Sequence, residues 1–129
     1  MRKFVVAMAH DLSEEQKKDI FKTFGEEIEI IQAPKIGVID PHFTTSQVNE
    51  YVENNLISWL IENTAPNDIV LLQGEPCMVS CVLHSKKLNN RVIVHATTER
   101  RTQKEFDEKT GETIKKSVFS HVQFREYKY

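Results

Sequence analysis

The sequence predicts an α/β fold: an open, mainly parallel sheet with helices on both faces and a β-hairpin at the C-terminus. Three observations predict it. Apolar runs at 3–9, 68–73 and 91–96 are hydrophobic on nearly every residue, as in strands buried on both faces. The segments between them repeat apolar residues at the helical spacings of three and four. After Arg101 the chain becomes strongly charged and then alternates, the period of a half-buried strand.

Taken in order, 3–9 is the first strand, and His10 and Asp11 begin the turn that follows it. Ser13 with Gln16 three residues on reads as a capping box. The helix it opens carries Ile20, Phe21 and Phe24 as its stripe and stops at Gly25. Residues 27–32 alternate and are β-branched, which suits an edge strand. A loop over 33–43, with Pro34, Gly37 and Pro41, is long for its place, and such loops often cover a site. A second helix runs from Thr44 to about Asn63 on Val48, Tyr51, Val52, Leu56, Trp59 and Leu60. Residues 68–101 then read strand, turn, helix over 77–88, turn, strand, a βαβ unit. The polar run around Gly111 is a turn whose flanks, 101–107 and 113–119, pair as a hairpin. Ser117 to Arg125 alternates, with Val118, Ser120, Val122 and Phe124 on one face and Phe119, His121 and Gln123 on the other. The five strands are expected in a Rossmann-like order, 2-1-3-4, with the hairpin at the far edge. One domain is expected over 1–129, an α/β core over 1–100 and the hairpin over 101–129.

Composition narrows the function classes. A net charge of −2 and a sequence pI of about 6.2 argue against a broad nucleic-acid-binding surface, and no DNA partner is expected, while room is left for a small basic pocket. The N-terminal apolar run is too short for a signal peptide, and no run nears the roughly 20 residues of a membrane span, so a cytoplasmic location is expected. Cys77 and Cys81 lie on one helix face with His84, but Met78, Val79, Val82 and Leu83 surround them and a fourth ligand is missing. Core packing is therefore expected of them, and no metal.

The chemistry is expected at the carboxyl ends of the strands, where ligands of parallel sheets sit. Those ends carry His10 and Asp11, then Gln73, Gly74 and Glu75, then Thr97, Thr98, Glu99, Arg100 and Arg101. Gly74 permits close backbone approach. Pro76 suits a first helical position, whose free amides favour anions. The threonines offer hydroxyls and the arginines forked donors for phosphate. Glu75 caps the helix, binds a sugar hydroxyl or acts as a base. The phosphate loops of nucleotide-cofactor enzymes, the nucleophile elbow and a two-metal carboxylate cluster are all absent, so no cofactor is expected.

The pattern of strand, Gln73-Gly74-Glu75, helix, Ala96-Thr97-Thr98 and Arg100, closed by 119–125, resembles the small CRISPR-associated proteins that consist of a lone CARF domain. The likeness spans nearly the whole chain, including the 9–12 turn. It implies a ring nuclease: a homodimer that binds cyclic tetra-adenylate across its two-fold axis and cuts it, ending type III CRISPR signalling. The implied chemistry uses no metal; a ribose 2′-OH attacks its own phosphate and leaves a 2′,3′-cyclic phosphate. On that reading Arg100 or Arg101 meets the scissile phosphate and Thr97 and Thr98 position it. Gln73, Gly74 and Glu75 cradle the ligand, with His10 and Asp11 beside it, and His10 or His121 carries a proton. Two alternatives stand beside it: a sensor or sponge that binds the ring without cutting, and a small α/β protein for an unrelated anion.

Overall fold

The computed structural model describes residues 1–129. Its strands are β1 (Lys3–Ala7), β2 (Glu29–Gln32), β3 (Ile69–Leu72), β4 (Val92–Phe106) and β5 (Thr113–Glu126). Its helices are α1 (Glu14–Phe24), α2 (Thr45–Val52), α3 (Ser58–Asn63) and α4 (Pro76–Leu83). The five strands form one open sheet of order β2-β1-β3-β4-β5, the order expected. The first three pairings are parallel and the last is antiparallel. The sheet is mixed rather than mainly parallel, because the β4–β5 ladder pairs more residues than the three parallel ladders together.

Alternation along β1 and β3 feeds two cores. Phe4, Val6, Ile69 and Leu71 face α1 and meet Ile20, with the rings of Phe4, Phe24 and Phe124 packed 5.4–6.1 Å apart. Val5, Val70 and Leu72 face the other way onto Val48, Val52, Leu56, Leu60 and Val82 of the remaining helices. Helices therefore cover both faces. The capping boxes at Ser13/Gln16 and Thr44/Gln47 both form. From α2 to α3 the helix runs on through a π-helical turn at Glu53–Ile57. Asn55 and Ser58 donate side-chain hydrogen bonds to the carbonyls of Tyr51 and Asn54 there, and back-bonding of this kind bends helices. The wider turn brings the adjacent Leu56 and Ile57 both to full burial.

Several boundaries differ from expectation: β1 ends at Ala7 rather than residue 9, and β2 starts at Glu29 rather than residue 27. The third predicted helix stops at Leu83, five residues early, and a short 3₁₀ turn at Lys86–Leu88 follows. His84 bends out of helical geometry, its ring Nδ1 2.9 Å from the Ser80 carbonyl, and the turn drops Leu88 into the core. More consequentially, β4 does not end at Ala96. It runs without a break to Phe106, so residues 97–101, expected as the polar rim where the strand ends, lie within the strand, and the expected boundary at residue 100 falls inside it. With its partner it leaves the sheet as an exposed two-stranded arm. The hairpin register is Arg101 opposite Val118 and Phe106 opposite Thr113, within a residue of that expected.

A β-bulge interrupts the arm's root. Thr97 pairs with Gln123 and Thr98 with His121, leaving Val122 as the extra residue. The bulge breaks the alternation expected along β5, so His121 and Phe124 share one face with their rings 4.7 Å apart.

Buried Asp68 ties the sheet together at its other end. It is 5% exposed and accepts from the amides of Lys3 at 3.0 Å and Ala65 at 2.8 Å. Asp68→Asn presents a donor to one of those amides. It should lower unfolding stability by about 1–3 kcal/mol, the cost of a buried group left unpaired. An unchanged urea midpoint would refute this account of Asp68.

Candidate functional site

Side by side in the sheet, β1 and β3 are joined to the rest of the chain in opposite directions, β1 leading out to β2 and β3 leading across to β4. Their carboxyl ends are thus a topological switch point, where the diverging connections leave a crevice. A cavity of about 390 Å³ opens there. Ala7, Met8 and Ala9 form one wall and Gln73, Gly74 and Glu75 another. The long loop after β2 closes over them with Pro34 and Ile36 to Ile39. Its Val38 is 99% exposed, an apolar side chain held at the mouth.

Each of the three β3-end residues has a visible task. Gln73 Oε1 accepts from the Ala96 amide at 2.9 Å, adding a rung between β3 and β4 and leaving its side-chain NH₂ without a protein partner. Gly74 sits at φ +155°, and a Cβ there would stand 2.6 Å from the Met78 methyl. Glu75 is the N-cap of α4, and Oε2 accepts from the Met78 amide at 2.9 Å. The free helix start expected to hold an anion therefore already carries a carboxylate, which a phosphate would meet as a like charge. No lysine or arginine lines the cavity, and most of its lining is apolar. It suits an uncharged, flat or apolar group with hydrogen-bonding edges.

The other expected site residues are placed elsewhere. His10 is exposed just beyond Ala9 and does not line the cavity. Asp11 is also exposed and pairs with Lys35 at 3.0 Å, a hydrogen bond and charge that hold its carboxyl below the usual range. Thr97, Thr98, Arg100 and Arg101 all lie on β4 beyond the cavity. Alternation splits them: Thr98 and Arg100 share the face toward α1, Thr97 and Arg101 the opposite one. Thr97 Oγ1 donates to the Gln123 carbonyl at 3.2 Å, and Arg101 approaches Glu99 at 3.5 Å. Arg100 lies against Ser117 Oγ through Nε at 3.2 Å and Nη2 at 3.0 Å. Within one chain, then, only Gln73, Gly74 and Glu75 come together.

His121 is committed to α1. Its side chain is 5% exposed, and Nε2 lies 2.7 Å from Asp19 Oδ2. Its backbone amide donates to Glu15 at 3.2 Å, while Nδ1 is buried without a partner. Burial raises the Asp19 carboxyl, but hydrogen bonds from Thr23 and His121 outweigh it, and the group ionises below the ordinary range. Cys77 and Cys81 pack half-buried against the core, as expected. Burial first, and then its neighbour Cys77, push the Cys81 thiol up, away from the reactive thiolate.

Sequence reasoning missed most of the cavity wall: Met8, Ile36, Val38, Ile39, Leu56 and Met78. The length of the 33–43 loop was the one signal that pointed to it. Asp19 and Glu15 were missed as partners of His121. They lie four apart and so share a helix face, but sequence alone does not show which strand that face meets.

Gly74→Ala should cost about 1–3 kcal/mol from its backbone conformation and push the Met78 methyl into the cavity. A thermal midpoint equal to that of the parent would contradict this. The Asp19 carboxylate contributes stability that is complete above the unfolded pKa of about 4 and is lost as pH falls through the lower folded pKa. Asp19→Asn should therefore be less stable than the parent near neutral pH, with the gap closing in acid. Urea unfolding across that range checks it, and a gap independent of pH removes Asp19 as the source.

No curated protein and no solved structure matches the chain. A family profile matches it over residues 2–125, nearly its whole length. The chain belongs to the Uncharacterized protein MJ1673 family.

Proposed function

We propose that this protein is a CARF-like ring nuclease that binds cyclic tetra-adenylate and cleaves it, switching off type III CRISPR signalling. The observation that carries the reading is the cavity at the β1/β3 switch point, with Gln73, Gly74 and Glu75 at its edge. Its about 390 Å³ is near the lower end for ligand pockets, enough for one nucleoside-sized group and too little for a ring of four nucleotides. A ring therefore spans two mouths, which supports a homodimer with one base in each cavity. The apolar walls receive the base, and the free Gln73 amide and Glu75 carboxylate address its edge.

The cavity lacks cations, so the phosphates belong outside it, toward the arm's root with Arg100 and Arg101. The proposed step is in-line. The ribose 2′-oxygen bonds to its neighbouring phosphorus as the P–O5′ bond breaks. The 2′-OH proton leaves, the 5′-oxygen gains one, and a 2′,3′-cyclic phosphate remains. Such a step needs chiefly a held geometry, and a guanidinium stabilises charge growing on the phosphate oxygens. His10, exposed at the rim, is the proton carrier; His121, held against Asp19, is not free for it within this arrangement.

A second reading has its own support. Neither arginine and no histidine lines the cavity of a single chain, which fits a sensor or sponge that holds the ring uncut. Incubation of labelled cyclic tetra-adenylate with the protein in EDTA separates the two. Linear product with a cyclic phosphate end is expected; intact, retarded ring would leave only binding. Release of neither product nor complex would end both readings. Arg100→Ala or Arg101→Ala should slow cleavage by on the order of 10²–10³-fold, as loss of a transition-state donor does. If both variants cleave at the parent rate, neither arginine meets the scissile phosphate.

A further inference from the structure

The arm keeps its acids off one face, while the other mixes Arg101 and Lys116 with Glu99 and Glu105. Thr98 opposite His121 fixes which face looks toward α1, and alternation places the rest. Arg100 pairs with Phe119, Thr102 with Ser117, Lys104 with Lys115 and Phe106 with Thr113, all on that face. It thus holds three cations, two aromatic rings and several hydroxyls, and no acid. Glu99 and Glu105 point to the opposite face, and Asp107, Glu108 and Glu112 lie at or beside the turn. The modest net charge of the whole chain conceals this segregation.

Two features have no use in folding, and a third holds a cation ready. Lys104 and Lys115 stand directly across from each other, and like charges so placed destabilise a ribbon. Phe106 is 67% exposed and Phe119 is 69% exposed, on a two-stranded ribbon that buries neither. Arg100 is laid against Ser117 by two hydrogen bonds, which fixes its guanidinium before any ligand arrives. A second copy of this chain docking face to face would bring cations onto cations. A polyanion with stackable rings answers all three features at once.

We propose that the α1-side face of the arm is a platform for single-stranded nucleic acid, whose phosphates meet Arg100, Lys104 and Lys115 and whose bases stack on Phe106 and Phe119. Unpaired bases offer their faces to aromatic side chains, whereas a duplex keeps them stacked inside. The platform lies outside the switch-point cavity and shares only Arg100 with the proposed ring site; its tests at Lys104 and Phe119 do not rest on ring cleavage.

Fluorescence anisotropy with labelled oligoadenylate, as RNA and as DNA, tests it over a salt series. Three neutralised phosphates predict a slope of log affinity against log salt of about −2, at roughly −0.7 per phosphate on single strands. Lys104→Ser should weaken binding and flatten that slope by about 0.7. Phe119→Ala should weaken binding about tenfold or more with the slope kept, because stacking carries no counterions. Lys116→Ser makes the same charge change on the opposite face and should alter neither. RNA bound more tightly than DNA assigns the sugar hydroxyls a part; equal affinity leaves phosphate and base alone. The inference falls if the parent fails to bind at low salt, if Lys116→Ser matches Lys104→Ser, or if duplex binds as well. It falls equally if the chain forms a dimer that Phe119→Ala disperses and no oligonucleotide binds.

Discussion

Strands β1 and β3 have water on neither face, and that constraint organises the molecule. Phe4 to Val6 and Ile69 to Leu72 are at most 2% exposed, so every side chain along them must be apolar and every flank covered. A fully buried strand can present polar chemistry only at its ends. The amino end is closed by Asp68, which accepts the amides that start β1 and precede β3. The carboxyl end is left open, and there the cavity forms. Covering two faces takes helices on both sides, and the connections that carry the chain from one side to the other diverge above β1 and β3. The crevice follows from the burial.

Around that opening, side chains that look like ligands serve first as struts. Gln73 extends the β3–β4 ladder by one rung through its side chain. Glu75 caps α4, and Tyr127 donates its hydroxyl to the Leu72 carbonyl at 2.7 Å while its ring lies 4.8 Å from that of His95. These bonds fix the rim before any ligand is present, and preorganisation of this kind lowers the entropy cost of binding. Glu75 also decides what sort of ligand fits. A carboxylate on the helix start repels phosphate, and the apolar wall favours a ring system.

The arm is a second construction on the same sheet. It is rooted by His121 against Asp19, by the Phe4–Phe24–Phe124 cluster, and by a bulge that turns His121 and Phe124 onto one face. Beyond that root it has no layer above or below it. A free ribbon of two strands is marginal in water. One of its faces carries three cations and two exposed aromatic rings with no acid among them, and folding alone does not account for that face.

Much of the fold was legible in the sequence because it follows from local rules. The buried strands, the Ser13/Gln16 capping box, the strand order and the hairpin pairing each follow from apolar period, cap chemistry or connection rules acting over a few residues. The residues of the candidate site were legible only in part. Gln73, Gly74 and Glu75 sit where the β3 run ends, and a run's end can be read locally. Thr97 to Arg101 were expected where a strand ends, yet β-branched and polar residues are as compatible with an exposed strand that continues, and only pairing with β5 along its length decides between them. Which face Arg100 or Arg101 takes, that His121 turns to Asp19, and that Glu75 occupies the helix start all depend on contacts between residues far apart in the chain. Alternation fixes relative facing within a strand, but the neighbour met by each face is set by packing, and packing exists only in three dimensions.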